Sequence, residues 1–491
     1  MELLLGIDVG TTGTKTLLID SSGREIATAY RPYGFTSGRR DFVEQDPEDW
    51  WNAVIECVNE CTCGFSDKIA ALSVSSQGAT LTPVLSGCEP ACGAITWMDS
   101  RAEKQGKDLI DSYGADYFYD KTGWKLANCF NLLQIMWMKE NDPELFDSVH
   151  KFLSTIEYIN YKLTDVYAID QTNAGITQLY NIRENDWDDD ILKLTGVTRE
   201  RLPDVYKTGS VIGKLTAEAA KTLGLSEDVL VISGAQDQYA ATIGSGAVVQ
   251  GDVLLSCGTS WCITSVQEEP YFDYNTYFAV ARHASEGLWA SFGYTPTGGA
   301  AYEWVRSNIR VTGGSDISYE ELNKSADAIS PGAEGLLFLP HFAGMQFPKS
   351  IPGAKANLIG LGLRHTGAHI LRAMMEGSIY DMKYMLDSIQ NSGADIKRLK
   401  ALGGATKSSV WMQLASDILG MEISIPSFAD IPVLGAAIIA GYGAGIFPTL
   451  EEGYQSMKPE TTSLRPRKEN YGLYQECYNN FIDVFSVINR R

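Results

Sequence analysis

Histidine is scarce in this chain, five in 491 residues, which leaves little material for a histidine-based metal or acid–base centre. Cysteine is more common but unorganised: nine residues, an odd number, are scattered along the sequence. The tightest pair, "CTC" at Cys61 and Cys63, lacks the C-x-x-C spacing of zinc and redox sites. Free thiols of a reducing cytosol are the expected state. "HTGAH" sets His365 and His369 at i and i+4. The central Glu of H-E-x-x-H is missing and Gly367 weakens a helix, so no metal role is expected there. There is no run of Lys or Arg. With 40 basic against 61 acidic residues the net charge is −21, a poor footing on nucleic acid or an anionic membrane. No apolar stretch has the length of a membrane span. The longest, "IPVLGAAIIAGYGAGIF" at 431–447, carries four glycines and reads as a buried helix packed closely against a neighbour. No basic segment precedes "MELLLGIDVG", so no secretory leader is expected and the cytoplasm is the expected location. Low-complexity linkers are missing too, although 491 residues suggest two or more domains.

What is present begins with "GIDVGTTGTK", Gly6 to Lys15. Apolar runs flank it, "LLLGIDV" before and "TKTLLID" after, and read as strands joined by a short Gly-containing turn. Glycines in that turn permit positive φ, which lets several N–H groups share one concavity suited to an anion. The hydroxyls of Thr11, Thr12 and Thr14 and the charge of Lys15 add to it. A Walker A loop is excluded, because Val9 stands where its first Gly belongs. A dinucleotide fingerprint is excluded as well, since the glycines fall at 6, 10 and 13 and a strand follows. The stretch is a hairpin phosphate loop or a plain tight hairpin. Asp8 tilts the reading to the first, because a carboxylate beside a phosphate cradle is tolerable with Mg²⁺ between them.

Further along, the pattern predicts strands over 3–34, a helix opened by Asp46 and Pro47, strands at "IAALSVSSQG" (69–78) and "CGAITWMD" (92–99), and mainly helices from 101 to 163. "DVLLSCGTSWCITSV" (252–266) is a second hairpin around Gly258, Thr259 and Ser260. It repeats the form of the first: apolar strand, Gly-Thr-[Ser/Thr], apolar strand. Two copies of one domain would each offer a phosphate loop to a nucleotide in the cleft between them; a coincidence of two hairpins is the plainer reading. "VISGAQDQYAATIGSG" (231–246) carries Asp237 at or near a helix start. An N-cap explains an Asp in that position. A carboxylate held in a cleft could instead accept a proton from a substrate hydroxyl.

Together these segments resemble the FGGY carbohydrate kinases, within the actin/Hsp70/hexokinase-like ATPase superfamily. The resemblance lies in motif order over nearly the whole chain: "GIDVGTTGTK", "WMDSR" (97–101), "LTDVYAIDQTNAGIT" (163–177), "GAQDQYA" (234–240), "LSCGTS" (255–260), "GLLFLPHFAG" (335–344), "LRAMMEG" (371–377), "LGGATKSSVWMQLASDILG" (402–420) and "PVLGAAIIAGYGAG" (432–445). It implies an α/β fold of two RNase H-like domains with an interdomain active-site cleft, here 1–245 and 246–491, which close on their ligands. It implies ATP and Mg²⁺ as cofactors and a small-molecule sugar as partner, with a homodimer allowed. Asp237 matches the general base and Asp8 the acidic residue near Mg²⁺ and the transferring phosphate, meeting the metal through water. Thr11, Thr12, Gly13 and Lys15 match the first phosphate loop, and Gly258 and Thr259 the second. Gly299, Glu303, Gly404 and Ser408 fall where the family lines its nucleotide pocket. Gly403 and Gly404 also suit the close backbone approach that a flat base or ribose needs.

The sugar is less sharply specified. Xylulokinases carry Ser-Gly-Gln-Met-His-Gly at the sugar pocket. Here "SSQGAT" (75–80) retains Gln77 and lacks the Met-His pair, and "GMQFP" (344–348) has Gln346 where Arg is usual. Trp97, Asp99 and Gln238 are further pocket candidates, Trp97 offering a ring face to C–H groups unless it serves the core. Xylulose leads, followed by another ketose, a polyol or an aldonate. An actin-like or Hsp70-like ATPase without sugar chemistry and a catalytically dead sugar sensor are the readings from other classes.

Overall fold

Leu3–Val9 (β1), Gly13–Asp20 (β2) and Glu25–Pro32 (β3) form an antiparallel meander, as the alternating apolar runs predict. The computed structural model describes residues 2–36, 39, 41–309 and 317–489. It divides into two compact units: Met1–Val248 with Val280–Trp289 and Ala429–Pro459, and Val249–Ala279 with Ala290–Phe428 and Glu460–Arg491. Two later segments, Val280–Trp289 and Ala429–Pro459, thus group with the N-terminal part of the chain.

In the first unit, Ile69–Ser76 (β4), Val211–Lys214 (β5) and Leu230–Gln236 (β6) complete a six-stranded sheet of order β5-β6-β4-β1-β2-β3. β1, β4 and β6 run parallel. Register places Asp8 beside Ser75, and Ser76 beside Gln236. Asp8 and Asp237 thus lie at the carboxyl ends of parallel strands two apart, about 10 Å across the sheet. This is the edge where open α/β sheets bind ligands. Helix Pro47–Cys61 (α1) starts as expected, with the Asp46 carboxylate accepting from the Glu48 amide at 3.0 Å and Pro47 in the first turn. "CGAITWMD" departs from expectation: only Ala94–Ile95 is strand, and Trp97–Asp99 lie in a turn beyond it.

The second unit repeats this design. Asp252–Cys257 (β7) and Trp261–Gln267 (β8) form the antiparallel hairpin, and Trp289–Thr295 (β9) follows β8 in the sheet. Arg398–Leu402 (β10) and Ile423–Pro426 (β11) are parallel to β7, and Thr461–Leu464 (β12) closes the row antiparallel. Six of the seven strands of this sheet, in the order β12-β11-β10-β7-β8-β9, match β5-β6-β4-β1-β2-β3. The weak sequence repeat is therefore a repeat of topology.

The apolar stretch at 431–447 contains helix Ile431–Gly443, buried along most of its length. This helix crosses the helix Asp237–Ser245 at glycines. A Cβ at Gly435 would lie 1.9 Å from the Ala240 carbonyl oxygen, and one at Gly244 would lie 2.1 Å from that of Ile431. The first turn of helix 431–443 also presses on β1, where a Cβ at Gly6 would meet the Val433 carbonyl at 2.2 Å. We expect Gly435→Val to force these helices apart and destabilise the protein by about 1–3 kcal/mol or more, read as a lower urea midpoint. Activity should fall with it, since Asp237 opens one of the two helices. Among the described residues no helix is long and apolar enough to cross a membrane.

Candidate active site

The β1–β2 turn is held by its carbonyls. Gly10 N donates to Gly13 O at 3.2 Å to close it. The Gly10 carbonyl accepts from Tyr33 Oη at 2.6 Å and that of Thr11 from Gln45 Nε2 at 2.8 Å. The Thr12 carbonyl accepts from Tyr33 N and from Tyr30 Oη. In a planar trans peptide the N–H points opposite to the C=O. Pinning these three carbonyls onto the protein therefore turns the amides of Thr11, Thr12 and Gly13 away from it, an arrangement suited to an anion. Gly13 serves here for space. Neither Gly10 nor Gly13 has positive φ, contrary to the sequence expectation. A Cβ at Gly13 would lie 2.5 Å from the Tyr30 ring. Thr14 also departs from expectation: it is fully buried on β2, so its hydroxyl is no part of the loop.

Around this turn sit three carboxylates and one ammonium. Asp8 is buried, and Ser75 Oγ donates to its Oδ1. Lys15, beside Asp8 in the ladder, pairs with Asp430. Burial pushes the Asp8 carboxyl up to about 7, and the charges of Asp430 and Asp237 add to the shift against the opposing pull of Ser75 and Lys15. Burial likewise raises Asp237 to about 6. The N-cap explanation for Asp237 does not hold. Gln236 is the cap, its Oε1 accepting from Gln238 N at 3.0 Å, and Asp237 is the first helical residue. Its Oδ1 accepts from Gln236 Nε2.

This charge set fits a divalent cation: three buried or half-buried carboxylates lie near a single ammonium, and burial, with the added charges of Asp430 and Asp237, pushes Asp8 toward protonation. Among the described residues no group of three His, Cys, Asp or Glu could by itself cage a metal.

The sugar-pocket candidates fare differently. Gln77 is buried, donates to Gln45 Oε1 at 2.8 Å, and leaves its own Oε1 without a partner. Gln238 Oε1 is also unpartnered. Trp97 is 43% exposed, so core packing does not explain it, and its Nε1 donates to Thr11 Oγ1 at 3.2 Å. Asp99 is spent. Its Oδ1 accepts from Arg101 N and Nε, and its Oδ2 from Val43 N and Arg101 Nη2. Four donors fill its lone-pair sites and leave none for a sugar hydroxyl. "HTGAH" is not a metal pair on one helix. Helix Gly367–Asn391 begins after His365, and His369 Nδ1 accepts from Thr366 N at 3.1 Å as a capping group.

The second unit uses the same device. The carbonyls of Gly258 and Thr259 accept from Gly299 N at 3.0 Å and Ala300 N at 3.1 Å, in the first turn of helix Gly298–Asn308. The loop amides of Thr259 and Ser260 are thereby turned outward. Gly299 is required by this approach, since a Cβ there would sit 2.4 Å from the Gly258 oxygen. Gly403 has φ +97° and would place a Cβ 2.7 Å from the Cys257 carbonyl carbon. Gly404 has open space above it. Gly258, Thr259, Gly299, Glu303, Gly404 and Ser408 line a cavity of about 750 Å³, the size of a small-molecule site. Tyr302 and Trp411 also line it and stack on each other, centroids 5.3 Å apart. Glu303 accepts from Arg306 Nε at 2.8 Å and from Tyr319 Oη, and Ser408 Oγ caps helix Ser409–Leu419 through Trp411 N. Both side chains therefore shape the cavity wall with their polar ends already committed.

Sequence reasoning missed Asp430, Ser75, Tyr302 and Trp411. Asp430 looks like an ordinary helix cap before Pro432, and Ser75 like any strand serine; only the fold brings them to Lys15 and Asp8.

Residues 3–244 match the model for the FGGY family of carbohydrate kinases, N-terminal domain, and residues 253–444 that for its C-terminal domain. The chain is 28% identical over 489 residues to the xylulose kinase of Bacillus subtilis (strain 168), covering 99% of this chain and 97% of that one. It is 28% identical over 500 residues to the gluconokinase of the same organism, covering 99% and 96%. The ligand-bound xylulose kinase structure from Lactobacillus acidophilus superposes with a TM-score of 0.94 at 26% identity, covering 99% of this chain and 98% of that one. Two family domains in sequence, each repeating the same sheet and the same carbonyl-pinned loop, have one explanation: the chain belongs to the FGGY family of carbohydrate kinases, and is a sugar kinase with an actin-like two-domain fold.

Proposed function

We propose that the sugar is a neutral ketopentose, with xylulose the leading candidate, that ATP is the donor with Mg²⁺, and that Asp237 is the general base. The observation that carries this reading is Asp237 itself. It opens a helix at a parallel strand's carboxyl end, relieved of capping by Gln236, in the same charge cluster as Asp8 and Lys15. An ionised Asp237 can take the proton from a sugar hydroxyl as that oxygen attacks the terminal phosphorus. Lys15 and the outward amides of Thr11, Thr12 and Gly13 stabilise charge on the phosphoryl oxygens. Asp8, with Ser75 holding one of its oxygens, would hold Mg²⁺ through water; when bound, the cation neutralises phosphate charge. In the second unit, Gly258 and Thr259 serve as the second phosphate loop. The cavity bounded by Gly299, Glu303, Tyr302, Gly404, Ser408 and Trp411 takes the nucleoside, with the backbone turn at Gly403 beside it.

The charge of the substrate can be argued from the same residues. Gluconate would need a cation for its carboxylate. Lys15 is paired with Asp430, and Arg101 with Asp99 and Glu44. Among the described residues of the candidate pocket, Gln77 Oε1 and Gln238 Oε1 are acceptors without a protein partner, which suit hydroxyl donors, and Trp97 is 43% exposed and suits sugar C–H groups. This favours the activity named for the xylulose kinase relatives over that named for the gluconokinases. A coupled ADP-release screen over pentuloses, hexuloses, polyols and aldonates checks it. The highest kcat/KM is expected with a neutral pentulose, and a higher value with an aldonate would refute the reading.

A further inference from the structure

Asp430 immediately precedes helix 431–443, where an aspartate ordinarily accepts from its own helix's first amides. Its carboxylate makes no such bond. Instead Oδ2 pairs with Lys15 Nζ, and Oδ1 is buried without a hydrogen-bond partner. The residue's position is firmly set, because the helix it precedes lies directly on the β1 backbone at Gly6 and on Ala240 at Gly435. Lys15 is different in kind. It extends a flexible four-carbon stem from the end of β2, its side chain is 43% exposed, and its charge alone gives it no fixed direction.

We propose that Asp430 is a positioning residue for phosphoryl transfer, a fixed clamp that holds the Lys15 ammonium beside the β1–β2 turn before the triphosphate arrives. A charge already placed where negative charge develops costs no reorganisation during the reaction. The clamp also uses a carboxylate that could have capped its own helix, so its geometry serves Lys15 at the expense of local helix stability. The unpartnered Oδ1 fits this role, since satisfying it locally would require turning the carboxylate away from the lysine. This inference rests on the proposed assignment of the turn as a phosphate loop.

The test is a double-mutant cycle between Asp430→Asn and Lys15→Ala, with Asp430→Glu as the conservative variant. The readouts are kcat, KM for ATP and for the sugar, and thermal midpoint. Loss of the clamp should lower kcat by about 10²-fold, the scale of a misplaced reacting group, with KM for the sugar little changed. Asp430→Glu should recover most of the loss. In the Lys15→Ala background, Asp430→Asn should change kcat less than twofold, because the group it acts through is gone. Losses that multiply in the double variant would overturn the clamp and leave the phosphate-loop assignment intact. So would an Asp430→Asn protein with a lowered midpoint and unchanged kcat. Wild-type turnover by Lys15→Ala would overturn the loop assignment, and the clamp with it.

Discussion

Asp237→Ala should lower kcat for sugar phosphorylation by about 10²–10⁴-fold while leaving KM for ATP near the wild-type value. The carboxylate's task is confined to the transition state, where the attacking hydroxyl loses its proton; it has no call on the nucleotide's phosphates. The pH dependence should carry the same signature. A base acts only when ionised, and burial sets the Asp237 pKa at about 6, above the ordinary 3.8. Activity should therefore rise as pH increases through about 6 and level off above it, where an unperturbed aspartate would already be flat. Asp237→Asn keeps the shape and removes the base, so it should share the kinetic loss. If it still binds sugar by calorimetry, loss of proton acceptance is separated from loss of the pocket. Turnover close to wild type in either variant would remove Asp237 from the mechanism.

Asp8→Asn should act in two opposite directions, abolishing most turnover and stabilising the ligand-free protein. The kinetic loss, about 10²–10³-fold in kcat, reflects a site that stabilises transferred charge by prearranged groups. The gain in stability follows from linkage. Asp8 has a folded pKa of about 7 against an ordinary 3.8, so between those values the native state holds a proton that the unfolded chain releases. Stability from this group accordingly falls as pH rises through that window, and above it the full cost of a buried charge remains. Removing the charge at pH 8 should return on the order of 4 kcal/mol, and the gain should shrink toward zero near pH 4. Urea unfolding of the ligand-free wild type and variant at both pH values measures it. A variant less stable than wild type at pH 8 would show that Asp8 is satisfied in the empty site, and that no excess charge awaits a cation there. This tension is expected of an active site, where groups suited to the reaction are poorly suited to folding.

Much of this molecule can be read locally. The β1–β2 turn, the strand at 69–76, the capped helix from Pro47, the hairpin at Gly258 and the buried helix at 431–443 all follow from periodicity and turn chemistry over a few residues. The strand expected at 92–99 is cut to Ala94–Ile95, because the chain turns at Thr96–Asp99, where Asp99 N donates to the Thr96 carbonyl and the Asp99 carboxylate is taken up by Arg101. Glycine was legible as a marker of the loops, though for the wrong reason at Gly13: the constraint is the Tyr30 ring and the Arg31 carbonyl, which no local rule sees.

By itself the sequence determined the order of elements, the two glycine–threonine loops, the family and the identity of the candidate base, because each is written in contiguous residues whose chemistry needs no partner. Tertiary structure alone decided the state of those groups. It relieved Asp237 of capping, saturated Asp99, buried Thr14, and carried Asp430 across more than 400 residues of chain to Lys15. Charge state and hydrogen-bond supply depend on burial and on neighbours within a few ångströms, and those neighbours are set by how strands and helices pack, not by their distance along the chain.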